Sequence, residues 1–166
     1  MNLYLTRFEE SDLDKLDVWC KRIQAEQFMS RVTPEAYTRG SGVQNELWDW
    51  YIINQNDLSI GTIWLEKSDP SSDVAKLGIL LGSQDLFEKG IGSQAVLFAI
   101  ESSHRRLGFN RVQLNVRKSN IRAISCYKKC GFSIVGEGTK FNKADEKIEF
   151  YAMQYRIFRI RVKIND

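Results

Sequence analysis

Several features are scarce in this chain, and each absence excludes a class of protein. The 166 residues include one histidine, His104, and three cysteines, too few side chains to favour a metal site. An odd cysteine count without framework spacing argues against a secreted disulfide-rich fold. The longest apolar run, residues 95–100, is far short of the ~20 residues that a membrane-spanning helix requires. We therefore expect no metal and no membrane partner.

Charge of one sign is not concentrated anywhere along the chain. Lysine and arginine number 24, aspartate and glutamate 21, and the net charge is +3. Nucleic-acid binding requires clustered basic residues, so we expect no nucleic-acid partner. Glu9 and Glu10 stand where a secretory signal would be apolar. These features predict a cytoplasmic protein, and the slight positive excess is compatible with an anionic cofactor.

What the chain does contain predicts one domain over residues 1–166 with a substantial core, since 43% of its residues are hydrophobic. Periodicity and turn signals indicate alternating strands and helices, with irregular chain over residues 29–44. We expect helices over about residues 12–26, 91–107 and 120–129, and strands around residues 3–7, 47–53, 58–66, 74–81, 111–117, 132–136 and 148–157. This order predicts a mixed α/β (α+β) domain, in which one central, twisted, mostly antiparallel sheet carries helices on both faces.

A glycine turn precedes the longest predicted helix. Gly90 and Gly92 flank Ile91, with Lys89 before them and Ser93 after. Glycine lets the backbone approach a ligand, and free N–H groups at a helix N-terminus bind anions. A bare Gly-x-Gly also occurs in ordinary strand-to-helix turns, and this one lacks the third glycine of the dinucleotide fingerprint and the lysine–serine pair of the P-loop. The turn indicates phosphate binding outside those two motifs.

Two polar residues lie downstream of the turn. Asn120 and Tyr127 are two helical turns apart, so their side chains point the same way with Ala123 between them. Taken singly, Asn120 is more simply a helix cap and Tyr127 a packing residue. Placed together after a glycine turn and a strand, they indicate a groove with an amide and a phenol as polar groups.

Residues 77–132 resemble motifs A and B of the GCN5-related N-acetyltransferases, the GNAT superfamily. The family's turn, Gln/Arg-x-x-Gly-x-Gly/Ala, corresponds to residues 87–92. Its second motif, Asn-x-x-Ala followed by Tyr and Gly-Phe, corresponds to Asn120, Ala123, Tyr127, Gly131 and Phe132. The spacing is most similar to the branch that includes the bacterial ribosomal-protein alanine N-acetyltransferases. The resemblance implies a single-domain GNAT fold.

The resemblance also implies acetyl-CoA as co-substrate. Its diphosphate would lie on the backbone N–H groups of residues 88–93, and its pantetheine arm would bond to the backbone of Leu80 and Gly82 as an added strand. An N–H near Leu81 or Gly82 would stabilise the oxyanion, and Tyr127 would protonate the leaving thiolate as the catalytic acid. The implied cofactor-binding residues are Leu80, Leu81, Gly82, Phe87, Glu88, Lys89, Gly90, Ile91, Gly92, Ser93, Asn120, Ala123 and Tyr127.

Two residues depart from the family pattern, and no general base is evident. Phe87 replaces the usual polar residue of the turn, so no side-chain contact to phosphate is assumed there. Lys76 stands where this branch often has a glutamate; it is either a solvated strand residue or one that favours an acidic substrate over a cationic amine. Glu66 and Glu149 are the candidate bases, although a solvated strand face is the simpler interpretation of each.

These features predict an acetyl-CoA-dependent N-acetyltransferase that acts on a primary amine, either a protein N-terminus or a small molecule, as a monomer or homodimer. Two alternatives stay open: a non-catalytic acyl-CoA-binding or regulatory domain, and an aminoglycoside-type N-acetyltransferase with an acidic acceptor cleft. Residues 28–42 are candidates to line the acceptor site. Trp48 and Trp50 either line it or belong to the core, and the core is favoured.

Overall fold

The computed structural model describes residues 2–158, so the two ends of the predicted 1–166 domain lie outside the described residues. The fold is organised around one seven-stranded sheet, in the order β1-β2-β3-β4-β5-β7-β6. Every neighbouring pair is antiparallel except β4 and β5. The strands are β1 Leu3–Arg7, β2 Trp48–Gln55, β3 Leu58–Glu66, β4 Val74–Leu81, β5 Arg111–Arg117, β6 Ser133–Phe141 and β7 Lys147–Arg156. The prediction of a mixed, mostly antiparallel α/β fold is confirmed.

In the described part of the chain, three α-helices accompany the sheet: α1 Leu13–Ile23, α2 Ile91–Leu107 and α3 Ile121–Cys130. The predicted first helix is divided, because Gln24 adopts a left-handed conformation with φ 52° and ends α1 before a short 3-10 turn at Ala25–Gln27. Helix α2 has the predicted bounds and ends at Gly108, also left-handed at φ 77°. Start and stop signals in the sequence therefore located these helices well, apart from the internal break after α1.

The prediction for β6 ended five residues too early. The strand continues to Phe141 because it stays paired with β7 as far as Phe141↔Lys147. Gly136 and Gly138 weakened the strand signal in this segment. Gly138 lies against the ring of Phe150, where a Cβ atom would collide, so glycine here serves cross-strand packing.

Hydrophobic cores lie on both faces of the sheet, covered by α2 and α3 on one side and by α1 on the other. Trp48 and Trp50 are 3% and 2% exposed and belong to the α1 core with Trp64. Tyr51, the residue next to Trp50, belongs to the opposite core. The tryptophans are therefore core residues, as favoured from the sequence, and helices flank both faces as predicted.

A wedge between β4 and β5 positions the site. The parallel pairing covers only Val74↔Arg111, Ala75↔Val112 and Lys76↔Gln113. Beyond these positions β4 continues along β3 as far as Leu81, while β5 continues along β7. The two strands separate, so one side of β4 loses its partner and the sheet opens towards the glycine turn.

Candidate functional site

Two adjoining cavities occupy the wedge. The first, of ≈ 310 Å³, lies among β4, the glycine turn and α3, and we call it the turn cavity. The second, of ≈ 350 Å³, lies among residues 28–35, β4, β5 and the ends of β6 and β7, and we call it the basic cavity for the cations that line it. Phe28, Met29, Leu77, Gly78 and Asn115 line both. A molecule bound in one cavity is thus in reach of a molecule bound in the other.

The glycine turn presents free backbone donors to the turn cavity. Gly90 caps α2 in a left-handed conformation, φ 77°, which glycine adopts at little cost. The first helical bond runs from the Gln94 N–H to the Gly90 carbonyl at 3.2 Å. The N–H groups of Ile91, Gly92 and Ser93 therefore have no partner within the helix, and they carry the positive end of its dipole. This arrangement suits an anion.

The predicted turn residues divide into two groups. Phe87, Glu88, Gly90, Gly92 and Ser93 line the turn cavity. Two of the predicted set do not: the Lys89 side chain is exposed to solvent, and that of Ile91 is 3% exposed in the core. Only the backbones of Lys89 and Ile91 remain available to a ligand there.

A cation at this cavity comes from Arg122, which the sequence interpretation missed. Its guanidinium lies 3.4 Å from the ring centre of Phe87 and 5.4 Å from that of Phe28. Burial lowers the pKa of Arg122, yet a guanidinium keeps its charge in proteins. Phe87 thus stacks under a cation rather than contacting phosphate itself. The available signal was a basic residue in the first turn of α3, two positions after Asn120.

The predicted contact of Leu80 and Gly82 with the pantetheine arm is wrong in register by one residue. The Gly82 N–H donates to the Ile60 carbonyl at 2.8 Å, so it is occupied within the sheet. Alternate residues of a strand direct their backbone groups to opposite neighbours. Leu80 therefore also faces β3, and the backbones of Ile79 and Leu81 face the wedge. Of the two N–H groups considered for the oxyanion, Leu81 is the available one, and Gly82 instead packs against the Trp19 ring.

The second motif comes together as the sequence predicted. Asn120, Ala123 and Tyr127 all line the turn cavity. The Asn120 Oδ1 accepts from the Ala123 N–H at 3.2 Å, so this residue is a helix cap that also faces the cavity. Burial, followed by the neighbouring Cys126 and Cys130, raises the pKa of Tyr127 above its usual value. The phenol therefore keeps its proton through the physiological range, as a proton donor must.

Neither candidate base lines a cavity, and only Glu149 has the solvated strand position that was favoured for both. Glu66 is not on a solvated face: it is 5% exposed, pairs with Arg31 and accepts from the Glu35 N–H at 2.7 Å and the Trp64 indole at 3.3 Å. It lines neither cavity and instead ties residues 31–35 to β3. Glu149 is exposed and also outside both cavities.

The carboxylate that does line the basic cavity is Glu35, which no sequence signal singled out. Its Oε2 lies 3.5 Å from the Lys76 Nζ, and both side chains are more than half exposed. Lys76 also lines this cavity. The segment of residues 28–35 therefore borders the cavity that adjoins the turn cavity, as expected for part of residues 28–42.

Residues 2–158 contain no group of three or more histidine, cysteine, aspartate or glutamate side chains placed to hold a metal ion. Within the same residues, no helix has both the length and the apolar character needed to cross a membrane.

Comparison with known proteins identifies the family. Residues 2–133 match the family described as "Acetyltransferase (GNAT) domain". The chain belongs to this family of acetyltransferases. A GNAT enzyme transfers an acetyl group from acetyl-CoA, so the predicted reaction class and co-substrate are confirmed.

Two relatives show how far the sequence similarity extends along the chain. The chain is 27% identical to the uncharacterized N-acetyltransferase YvbK of Bacillus subtilis over 113 residues, which is 57% of this chain and 72% of that protein. It is 33% identical over 76 residues to the aminoglycoside N(6')-acetyltransferase type 1 of Klebsiella pneumoniae, which is 46% of this chain but only 37% of that one. The assignment to the ribosomal-protein branch therefore stays a prediction.

A solved structure supports both the fold and the nature of the co-substrate. Aminoglycoside acetyltransferase AAC(6')-Ib, in complex with coenzyme A and kanamycin, superposes with a TM-score of 0.72 at 25% identity over 93% of this chain and 95% of that one. The GNAT fold thus covers nearly the whole described chain. Transfer to an amine is consistent with these N-acetyltransferase relatives.

Proposed function

We propose that this chain acetylates a primary amine by direct attack on acetyl-CoA, which binds in the turn cavity while the amine binds in the basic cavity. The observation that carries the proposal is the junction of the two cavities at Leu77 and Gly78, where β4 and β5 separate. We also propose that residues 1–166 form a single domain.

The turn cavity has the groups that acetyl-CoA requires. The N–H groups of Ile91, Gly92 and Ser93 and the Arg122 guanidinium would hold the diphosphate. The unpaired side of β4 would hold the pantetheine arm through backbone bonds of the kind an added strand makes. Anion recognition here depends mostly on the backbone, so the loss of the family's polar residue at Phe87 is tolerated.

The chemistry needs few side chains because a thioester is already activated. The amine nitrogen forms a bond to the acetyl carbon, and negative charge develops on the carbonyl oxygen, for which the Leu81 N–H is the available backbone donor. The C–S bond then breaks, and the Tyr127 phenol supplies the proton that the thiolate takes. The proton released by the amine passes to Glu35 or to water, and solvent restores the phenol.

The acceptor classes predicted from the sequence remain candidates within this proposal. A protein N-terminus corresponds to the ribosomal-protein alanine N-acetyltransferase branch, and an aminosugar corresponds to the aminoglycoside relatives. The aminoglycoside alternative required an acidic acceptor cleft, whereas Arg31, Lys76, Arg117 and Lys140 line the basic cavity. This cavity favours other amines. A cytoplasmic location and a monomeric or homodimeric state also stay predictions.

Two measurements test the proposal. Calorimetry should show CoA binding to the purified protein, and a thiol reagent should detect CoA released when acetyl-CoA is mixed with a panel of primary amines. The non-catalytic alternative predicts CoA binding without amine-dependent thiol release for any member of the panel. Absence of CoA binding by folded protein would contradict the cofactor assignment as well.

A further inference from the structure

We propose that the amine acceptor carries an anionic group, a carboxylate or a phosphate, which binds to Arg117 and Lys140 in the basic cavity. This inference rests on the proposed function and specifies its substrate class. A cavity of ≈ 350 Å³ has the size of a small-molecule site. Four basic side chains and one carboxylate, Glu35, line it, so its field favours negative charge.

The four basic side chains of this cavity differ in whether a carboxylate neutralises their charge. Arg31 pairs with the buried Glu66, and Lys76 lies 3.5 Å from Glu35. Among the described residues, Arg117 and Lys140 form no ion pair. Their contacts are to neutral oxygens: the Lys140 Nζ donates to the Ser30 Oγ at 2.7 Å and the Arg117 Nη1 to the Gln27 carbonyl at 3.0 Å. Two positive charges, on the strands β5 and β6 that flank β7, therefore face the cavity uncompensated.

Arg117 has an unused donor as well as an uncompensated charge. Within residues 2–158, its Nε is buried and has no hydrogen-bond partner. A buried donor without a partner destabilises a protein unless a ligand or water fills the position. A guanidinium forms its strongest hydrogen bonds with carboxylate and phosphate oxygens. An anionic group of the substrate would compensate this charge.

The electrostatics of Lys140 support the same assignment. Burial lowers the pKa of Lys140, and the positive charges of Arg117 and Arg31 lower it further. Cations this close repel one another, and a bound anion would relieve that repulsion. Glu35 lies on the same cavity and would face the amino end of the substrate. A polycationic amine would bring like charges against Arg117 and Lys140, which disfavours its binding.

Matched substrate pairs test the inference on the protein saturated with CoA. Phenylalanine with phenethylamine isolates a carboxylate, and glucosamine 6-phosphate with glucosamine isolates a phosphate. Calorimetry should show that the anionic member of at least one pair binds about tenfold more tightly, the value expected for one charge-assisted hydrogen bond. The pair that shows the preference tells whether the acceptor carries a carboxylate or a phosphate. Raising the salt concentration should reduce the preference.

Two substitutions assign the preference to residues. Lys140→Met should lower the affinity for the member with the anionic group about tenfold and should not weaken binding of the counterpart that lacks this group. Arg117→Met should do the same, and CoA affinity reports whether this variant is folded. Lys118→Met is the matched control, because Lys118 lies next to Arg117 in the chain, pairs with Glu137 and does not line the cavity.

The outcomes separate this inference from the proposed function. Equal binding within both pairs, tighter binding of the amines that lack an anionic group or of spermidine, or no binding of any of these amines would overturn the anionic assignment. In those cases CoA binding and thiol release with another amine would leave the proposed function standing. A preference that survives in both Lys140→Met and Arg117→Met would also overturn it, since the anion would then bind elsewhere.

Discussion

The two cavities are built differently, although they share Leu77 and Gly78 of β4. The turn cavity comes mainly from β4, the glycine turn and α3, with Phe28 and Met29 on one side. The basic cavity collects residues from distant parts of the chain: residues 28–35, Trp64, β4, β5, Lys140 and Phe150. A local motif therefore specifies the cavity that we propose for acetyl-CoA, while long-range assembly specifies the cavity that we propose for the acceptor. Acceptor specificity can change without altering the motif.

The largest expected effect comes from Tyr127, which lines the turn cavity and is the proposed proton donor. Tyr127→Phe removes the proton donor, so kcat should fall about 100-fold while the affinities for acetyl-CoA and amine change little. Because the pKa of Tyr127 is raised, the phenol stays protonated up to and beyond its ordinary titration near pH 10. The ratio of wild-type to variant kcat should then be constant from about pH 6 to 9.

Steady-state kinetics with thiol detection measures this effect. Tyr4→Phe is the control, since the Tyr4 hydroxyl bonds to Asp57 and Tyr4 lines neither cavity. A Tyr127→Phe variant with wild-type kcat would remove this residue from the mechanism and leave the thiolate to be protonated by water.

The next-largest effect should come from a substitution at Glu66, which should change the KM for the amine but not the KM for acetyl-CoA. Glu66→Gln keeps the side-chain shape but removes the charge that pairs with Arg31, so residues 31–35 lose part of their attachment to β3. We expect a loss of ~1–3 kcal/mol in unfolding free energy and an increase of about tenfold in the KM for the amine. The KM for acetyl-CoA should stay close to wild type.

Denaturant unfolding and two-substrate kinetics separate these effects. Glu101→Gln is a suitable control, since Glu101 is exposed on α2 and lines neither cavity. Equal rises in the KM for the amine and the KM for acetyl-CoA would show that both cavities depend on the attachment made by Glu66. That result would contradict the distinction between the two cavities.

Glu66 also illustrates which features the sequence could predict. Helix α2, its glycine cap and the Asn120–Tyr127 pair follow from patterns within a few residues, where spacing fixes geometry. The burial of Glu66 depends on Arg31 and the Glu35 backbone, more than thirty residues away in an irregular segment. No periodic signal describes such a segment. Strand register also escaped prediction: only the Gly82–Ile60 bond shows which β4 amides face the wedge.

The Arg122→Ala substitution should weaken binding of acetyl-CoA without changing binding of the amine. Removing the cation that lies over Phe87 should raise the Kd for acetyl-CoA about tenfold, the value of one charge-assisted bond to phosphate. Acetyl-pantetheine lacks the diphosphate, so its binding should not change. Arg105→Ala, on the exposed last turn of α2, is the control for net charge. A loss of affinity for both ligands alike would show that Arg122 acts through packing on Phe87 rather than through charge.

The smallest effect concerns the spacing between α2 and α3. A Cβ atom at Gly92 would lie 3.2 Å from the Cys126 Sγ, tighter than ordinary contact. Gly92→Ala should therefore push α3 slightly away and weaken CoA binding by about threefold, a cost well below that of a lost hydrogen bond. Cys126→Ala removes the opposing sulfur, so the double variant should recover much of the affinity. Additive losses in this double-mutant cycle would show that a side chain at residue 92 hinders the diphosphate directly instead of displacing α3.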